Sequence, residues 1–346
     1  MDKEEIRTRR LLNQKILSSD LKTPQAVVAH MGAMQAQEYA MAKWAVGLRA
    51  PGLKDSDIEA AFNSGEILRT HILRPTWHFV APADIRWLIA LSAPRVQQQN
   101  AGYYRKVGVD EHLFAKANAV LEAKLSGGVQ MTRTQLAEEF AAAGIEAKGM
   151  ALAYLLMNAE LCGLICSGAR VGKQFTYAWL DDVVPTTAPL AHEEALAMLS
   201  ERYFASRGPA TVHDFANWSG LTLSDARLGA RLLDASFAVV TFDGKDYIFR
   251  DNGMSLEGLK ATTFLMPDYD EYGMSYKDRS ALSAGSELVA SQSDYSHWLV
   301  AEGMIAGTWE KQVKGKHTAA IVKPLVTIAS EEVVDAAVQR YCDFWE

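Results

Sequence analysis

Two spacings of apolar residues alternate along the chain, one helical and one extended, and their order recurs. The clearest case is "GPATVHDFANWSGLTLSDARLGARLLDASFAVVTFDGKDYIFR", Gly208 to Arg250. Thr211 stands at a cap position, with Phe215 and Trp218 following on one helical face. Ser219-Gly220 closes that helix. Ser224 or Asp225 can open a second, with Leu228 and Leu232 on one face. Two β-type runs, "FAVVTF" and "YIFR", then flank Asp243-Gly244-Lys245-Asp246. Asp-Gly between such runs is a hairpin signal. Helix, turn, helix, hairpin is the plan of a winged helix.

The plan appears twice more. "MTRTQLAEEFAAAGI" reads as a helix started by Thr132 or Thr134, followed by a longer apolar helix and two strands around Gly168–Gly172. The first copy runs from Thr23-Pro24, a cap with proline at the first helical position. It continues through "KDSDIEAAFNSGEI" to the strands "ILRTHI" and "TWHFVA", with Pro75 in the turn. Between copies one and two lie one or two helices, which Pro94 is expected to break or restart. After Arg250 come short β-type runs, including "TTFLM", "ELVAS", "GMIAGTWEKQV" and "HTAAIVKPLVTI", and a final helix capped by Ser330 and Glu332. The expected fold is α+β: three tandem winged helices followed by a small β-barrel. The expected boundaries are 1–107, 108–186, 187–255 and 256–346.

Composition adds little to this except through its distribution. The net charge is −7 over 346 residues, but residues 1–106 hold 15 basic against 10 acidic side chains and the remainder 20 against 32. That asymmetry is either chance or a basic front for a polyanion on an otherwise repelling molecule. No apolar run reaches the ~18 residues of a membrane span, and "MDKEEIRTRR" lacks a signal peptide's apolar stretch. Cys162, Cys166 and Cys342 cannot build a disulfide framework. A reduced, cytoplasmic protein without membrane association is expected.

Four stretches carry candidate chemistry. "RTHILRPTWHF" gathers Arg69, Thr70, His71, Arg74, Thr76 and His78 in an expected hairpin with one polar and one apolar face. It is either an ordinary half-solvated hairpin or a wing presenting Arg and His to a phosphate backbone or flipped base. The His71–His78 spacing matches no zinc signature, and Cys162–Cys166 has no clustered histidines, so no metal is expected. Dinucleotide, Walker A and serine-hydrolase motifs are absent from the sequence. "MPDYDEY" concentrates Asp268, Asp270 and Glu271, which either do acid–base work or, as the plain alternative, solvate a turn or pair with nearby Arg and Lys. Last, "MGAMQAQEYA" places Gln35 and Gln37 two residues apart. On a straight helix they point nearly opposite ways; on extended chain they share a face. A glutamine has no useful pKa, but its amide can orient a water. That suffices only where the leaving group departs readily; two helix-surface amides are the plain alternative.

"MQAQEYAMAKWAVGLR", "ILRTHILRPTWHFV", "SRGPATVHDFANWSGL", "MPDYDEYGMSYKDRS" and "AGTWEK" together resemble the winged-helix family typified by the AlkZ and YcaQ DNA glycosylases, in order and over nearly the whole chain. The resemblance implies three winged helices and a barrel around a DNA-binding channel. It also implies excision of alkylated purines from double-stranded DNA, some of it crosslinked. A single chain with three DNA-facing modules is expected to work as a monomer, and no cofactor is expected. That family's signature is Gln, an aliphatic residue, Gln; Gln35-Ala36-Gln37 fits, and the aspartate that ends the YcaQ-like triplet is missing. Gln37 is then the residue that positions water and Gln35 its neighbour at the same site. The two amides must converge, so the backbone near Met31–Gln37 is expected to leave the helix. Arg69, Thr70, His71, Arg74, Thr76, His78 and Lys43 form the expected DNA-facing set. No lysine stands out as a Schiff-base nucleophile, so base removal without strand cleavage is expected. A non-catalytic winged-helix regulator and a protein-binding scaffold are the competing readings.

Overall fold

The protein's computed structural model describes residues 1–251, 253, 256, 262–283, 297–314, 317–328 and 330–346. The strand expected at "ELVAS" lies outside the described residues. The fold is mixed α/β. By its contacts the chain divides into two units, one of Met1–Glu59, Leu196–Trp218 and Thr222–Glu346, the other of Ala60–Ala195 and Ser219–Leu221.

In the first unit, Thr23 caps the helix Pro24–Met31 by accepting from the Ala26 N–H at 3.2 Å. The helix Tyr39–Arg49 follows after a non-helical stretch. Thr211 and Asp214 cap the helix Val212–Ser219 reciprocally, and Phe215 and Trp218 are fully buried. The next helix, Leu223–Arg231, is capped by Thr222 rather than by Ser224 or Asp225. Its buried face is also not the expected one. Ala226 and Gly229 are buried, whereas Leu232 is 40% exposed. A Cβ on Gly229 would lie 2.1 Å from Ser200 Oγ, so small residues let this helix approach the helix His192–Arg207 closely. The strands Phe237–Phe242 and Lys245–Arg250 are joined by Asp243 and Gly244, both at positive φ, the geometry an Asp-Gly hairpin turn requires.

Among the described residues, the C-terminal part of this unit is a curled half-barrel. Four antiparallel strands, Thr263–Leu265, Trp298–Ala301, Met304–Lys314 and His317–Pro324, lie side by side in chain order. A bulge at Leu299/Val300 adds to the curl. Ser330 caps the final helix Glu331–Trp345. Tyr341 and Phe344 of that helix pack on Trp44 at centroid distances of 5.3 and 5.2 Å.

The second unit begins with the hairpin Leu68–His71 and Trp77–Val80. The helix Ile85–Lys106 then runs unbroken for 22 residues with Pro94 inside it, contrary to the expected break. The carbonyl that Pro94 leaves without its helical donor belongs to Ala90, which is exposed and can turn to water. The helix Arg133–Ala142 opens with a capping box formed by Thr132 and Gln135. The apolar helix Met150–Leu161 leads into the strands Ile165–Val171 and Gln174–Trp179, and Gln130–Thr132 adds a third strand that the apolar pattern did not reveal.

Candidate active site

The segment that holds the two glutamines is built by a helix end. Gly32, at φ +71°, terminates the helix Pro24–Met31 in a conformation that favours glycine. From there to Glu38 the chain is not helical, and Met34–Gln35 is extended. Burial alternates: Met34 and Ala36 are buried, Gln35 is half-buried and Gln37 exposed. The period is that of extended chain, with both amides on the side away from the core. Gln35 and Gln37 are therefore not placed on opposite faces of one helix.

One buried ion pair holds this segment. Arg207, 0% exposed at the end of the helix His192–Arg207, donates from Nη1 to Met31 O at 2.6 Å and from Nη2 to Ala33 O at 2.7 Å. Its guanidinium also meets Glu271 Oε2, at 2.8 Å from Nη2, and Glu271 is only 1% exposed. Glu271 Oε1 accepts the Gln35 backbone N–H at 2.9 Å. Trp218 Nε1 and Ser275 Oγ donate to Glu271 Oε2 at 2.8 and 3.0 Å. A helix C-terminus leaves carbonyls without internal donors, and a cation there also suits the helix dipole. Next to this pair, His30 Nε2 lies 2.7 Å from Asn13 O. Burial holds the His30 imidazole below its ordinary 6.5, and the charges of Lys15, Arg207 and Arg49 add to the effect.

Asp270, the neighbour of Glu271, does different work. It takes a two-point contact from Arg49 at 2.8 and 2.9 Å and caps the short helix Glu271–Met274. Arg49 also donates to Ala45 O and Gln14 Oε1. Of the three carboxylates of "MPDYDEY" that the sequence left open, Asp270 and Glu271 thus pair with arginines distant in the chain, while Asp268 accepts the His297 backbone N–H at 2.7 Å. Arg207 and Arg49 were not among the expected site residues; a charged residue inside an apolar helical pattern was the available signal.

In the second unit the hairpin departs from the expected division into one polar and one apolar face. Arg69, Thr70, His71 and His78 are buried. The pairing places Arg69 opposite Phe79, Thr70 opposite His78 and His71 opposite Trp77, so polar side chains fall on both faces. The Arg69 guanidinium lies 4.4 Å from the ring centres of both Trp77 and Phe175. His71 Nδ1 meets the Glu160 carboxylate in a short contact, and Trp77 Nε1 donates to Glu160 Oε1 at 3.3 Å. Glu160 is wholly buried in the last turn of the helix Met150–Leu161, where the dipole disfavours an anion, so these partners compensate it. Arg74 and Thr76 at the turn are half-buried and Pro75 is exposed. Leu73, at φ +61°, sets that turn and donates its N–H to Ser92 Oγ at 3.0 Å. Lys43 of the first unit is 5% exposed and sits 2.6 Å from Asp55 and 2.7 Å from Glu59, which neutralises it internally. As buried groups with internal partners, Arg69, His71 and Lys43 do not present the exposed heads expected of phosphate contacts. Burial likewise removes Thr70 and His78 from the surface.

Among the described residues there is no cluster of His, Cys, Asp and Glu that could hold a metal ion, and no helix long and apolar enough to cross a membrane.

A family model described as DNA glycosylase AlkZ-like matches residues 28–344. In structure the chain is similar to the Streptomyces sahachiroi DNA glycosylase AlkZ, with a TM-score of 0.80 over 99% of this chain and 96% of that one. The sequence identity is 18%, so this likeness is one of fold. No curated protein sequence matches the chain.

Proposed function

The chain belongs to the AlkZ-like DNA glycosylase family, and on that footing we propose that it hydrolyses the N-glycosidic bond of alkylated, cationic purines in duplex DNA. The observation that carries this reading is the pair of outward amides, Gln35 and Gln37, on an extended backbone held from behind. An N7- or N3-alkylated purine already bears positive charge and leaves without being protonated. The sugar becomes oxocarbenium-like, as in other glycoside cleavages. What remains is to place one water and face the cation with a dipole, which an amide oxygen does without titrating. Gln37 positions the water and Gln35 contacts the same site. The product is a free base and an intact abasic strand.

The three helix-turn-helix and hairpin segments act as winged helices that grip the duplex, with a monomer sufficient. Arg74 and Thr76, half-buried at their turn, are the phosphate contacts of the first hairpin. Arg69, Thr70, His71 and His78 support that turn. The test is to incubate the protein with duplex DNA containing 7-methylguanine and measure released base. Release with the abasic strand uncut supports the reading. Binding without release would instead identify a non-catalytic DNA-binding protein.

A further inference from the structure

Resting on the glycosylase reading above, we infer that Arg207 and Glu271 are positioning residues that set the two glutamines over the reacting sugar. Their hydrogen bonds fall on Met31 O at the helix end, on Ala33 O just past the Gly32 turn, and on the Gln35 N–H in the extended Met34–Gln35. The pair thus ties the backbone at three points over five residues and stops two residues before Gln37.

The chemistry of the pair suits this task. Two carbonyls two residues apart need two donors held at a fixed separation, and the planar guanidinium supplies them. A lysine ammonium is a single mobile point and cannot reproduce the fork. Glu271 neutralises the arginine and spends its second oxygen on the Gln35 N–H, so the same carboxylate that balances the charge fixes where the Gln35 side chain begins. Trp218 and Ser275 hold Glu271 in turn. The adjacent pair, Arg49 with Asp270, is equally buried, and its side-chain bonds go to Ala45, Gln14 and a cap, none of them on Met31–Gln37. Hydrolysis by a water that no base activates depends on orientation alone, where a displacement of about 1 Å can cost on the order of 100-fold. Rigidity behind the amides is therefore part of the catalytic arrangement.

The test compares Arg207→Lys with Val300→Ala, a cavity-forming change in the half-barrel strand Trp298–Ala301, where Val300 is buried and pairs with Phe264 and Ile305. Four quantities are measured: single-turnover base release, DNA affinity, thermal midpoint, and amide hydrogen exchange of the peptide covering Met31–Gln37. Arg207→Lys is expected to slow release by about tenfold or more with DNA affinity unchanged, and to speed exchange in that peptide. Val300→Ala, matched or exceeding it in loss of thermal midpoint, is expected to keep both the release rate and the exchange of that peptide. Should Arg207→Lys fail to fold, Glu271→Gln, which keeps the size of the side chain and removes its charge, carries the same comparison. Equal loss of rate in the control, or an unchanged rate in the positioning variant, would overturn the inference. A wild-type protein that releases no base overturns the functional reading instead, and the exchange data then report the anchoring by itself.

Discussion

Gly32–Gln37 and Leu68–Val80 are both short stretches dotted with polar residues, and both are non-helical, yet they treat those residues in opposite ways. In the first, main-chain polar groups are tied down by a buried ion pair, while Gln35 is half-buried and Gln37 exposed. In the second, the polar side chains themselves are buried and find counter-groups inside, with Glu160 and two aromatic rings taking His71 and Arg69. Polar density in sequence is thus no guide to exposure. A charged group buried with its partner braces a structure, and one left in solvent is available for a ligand.

The largest effect expected from this contrast is on stability. Glu160→Ala would leave the hairpin's buried polar groups unpaired and should destabilise the protein by about 3 kcal/mol or more, read from urea unfolding. A loss below about 1 kcal/mol would mean that Glu160 is not the brace described. Gln37→Ala should do the reverse. Unfolding should shift by no more than about 0.5 kcal/mol, because the residue is exposed, while single-turnover excision of 7-methylguanine falls by about 100-fold. Unchanged excision would remove Gln37 from the mechanism. Arg74→Ala sharpens the hairpin side. It should weaken DNA binding and reduce the slope of log affinity against log salt by about 1, as for one lost phosphate contact; an unaltered slope would place Arg74 with the bracing residues. The smallest effect concerns His30. Its imidazole is held below the ordinary 6.5 in the folded protein, so the unfolded chain binds the proton more readily. The stabilisation is complete above pH 6.5 and is lost as the pH falls below it. His30→Asn should flatten that acid-side decline; a profile identical to the wild type would assign the decline elsewhere.

Much of this was legible from the residues, for reasons that can be named. Thr132 and Thr211 cap helices because a side-chain oxygen meets an N–H three residues on, a local relation that spacing reveals. Asp243-Gly244 was readable because few residue pairs accept two positive φ angles. The break between Met31 and Tyr39 was required by the chemistry expected of two glutamines two apart. What spacing could not reveal was long-range pairing. Arg207 and Glu271 are 64 residues apart, and His71 and Glu160 are 89 apart. Each is a polar side chain that looks solvated until its partner is known. The helix Leu223–Arg231 misled for a related reason. Its leucines suggested a core face, but close approach to another helix selected the alanine and glycine instead.

The claim on which the rest depends is that Gln35 and Gln37 act together on one water. A double-mutant cycle reads this directly, from single-turnover excision of 7-methylguanine by the wild type, Gln35→Ala, Gln37→Ala and the double variant. If both amides serve the same water, the double variant should be no slower than the slower single one. Losses that multiply in the double variant would show two independent contributions and contradict the shared site.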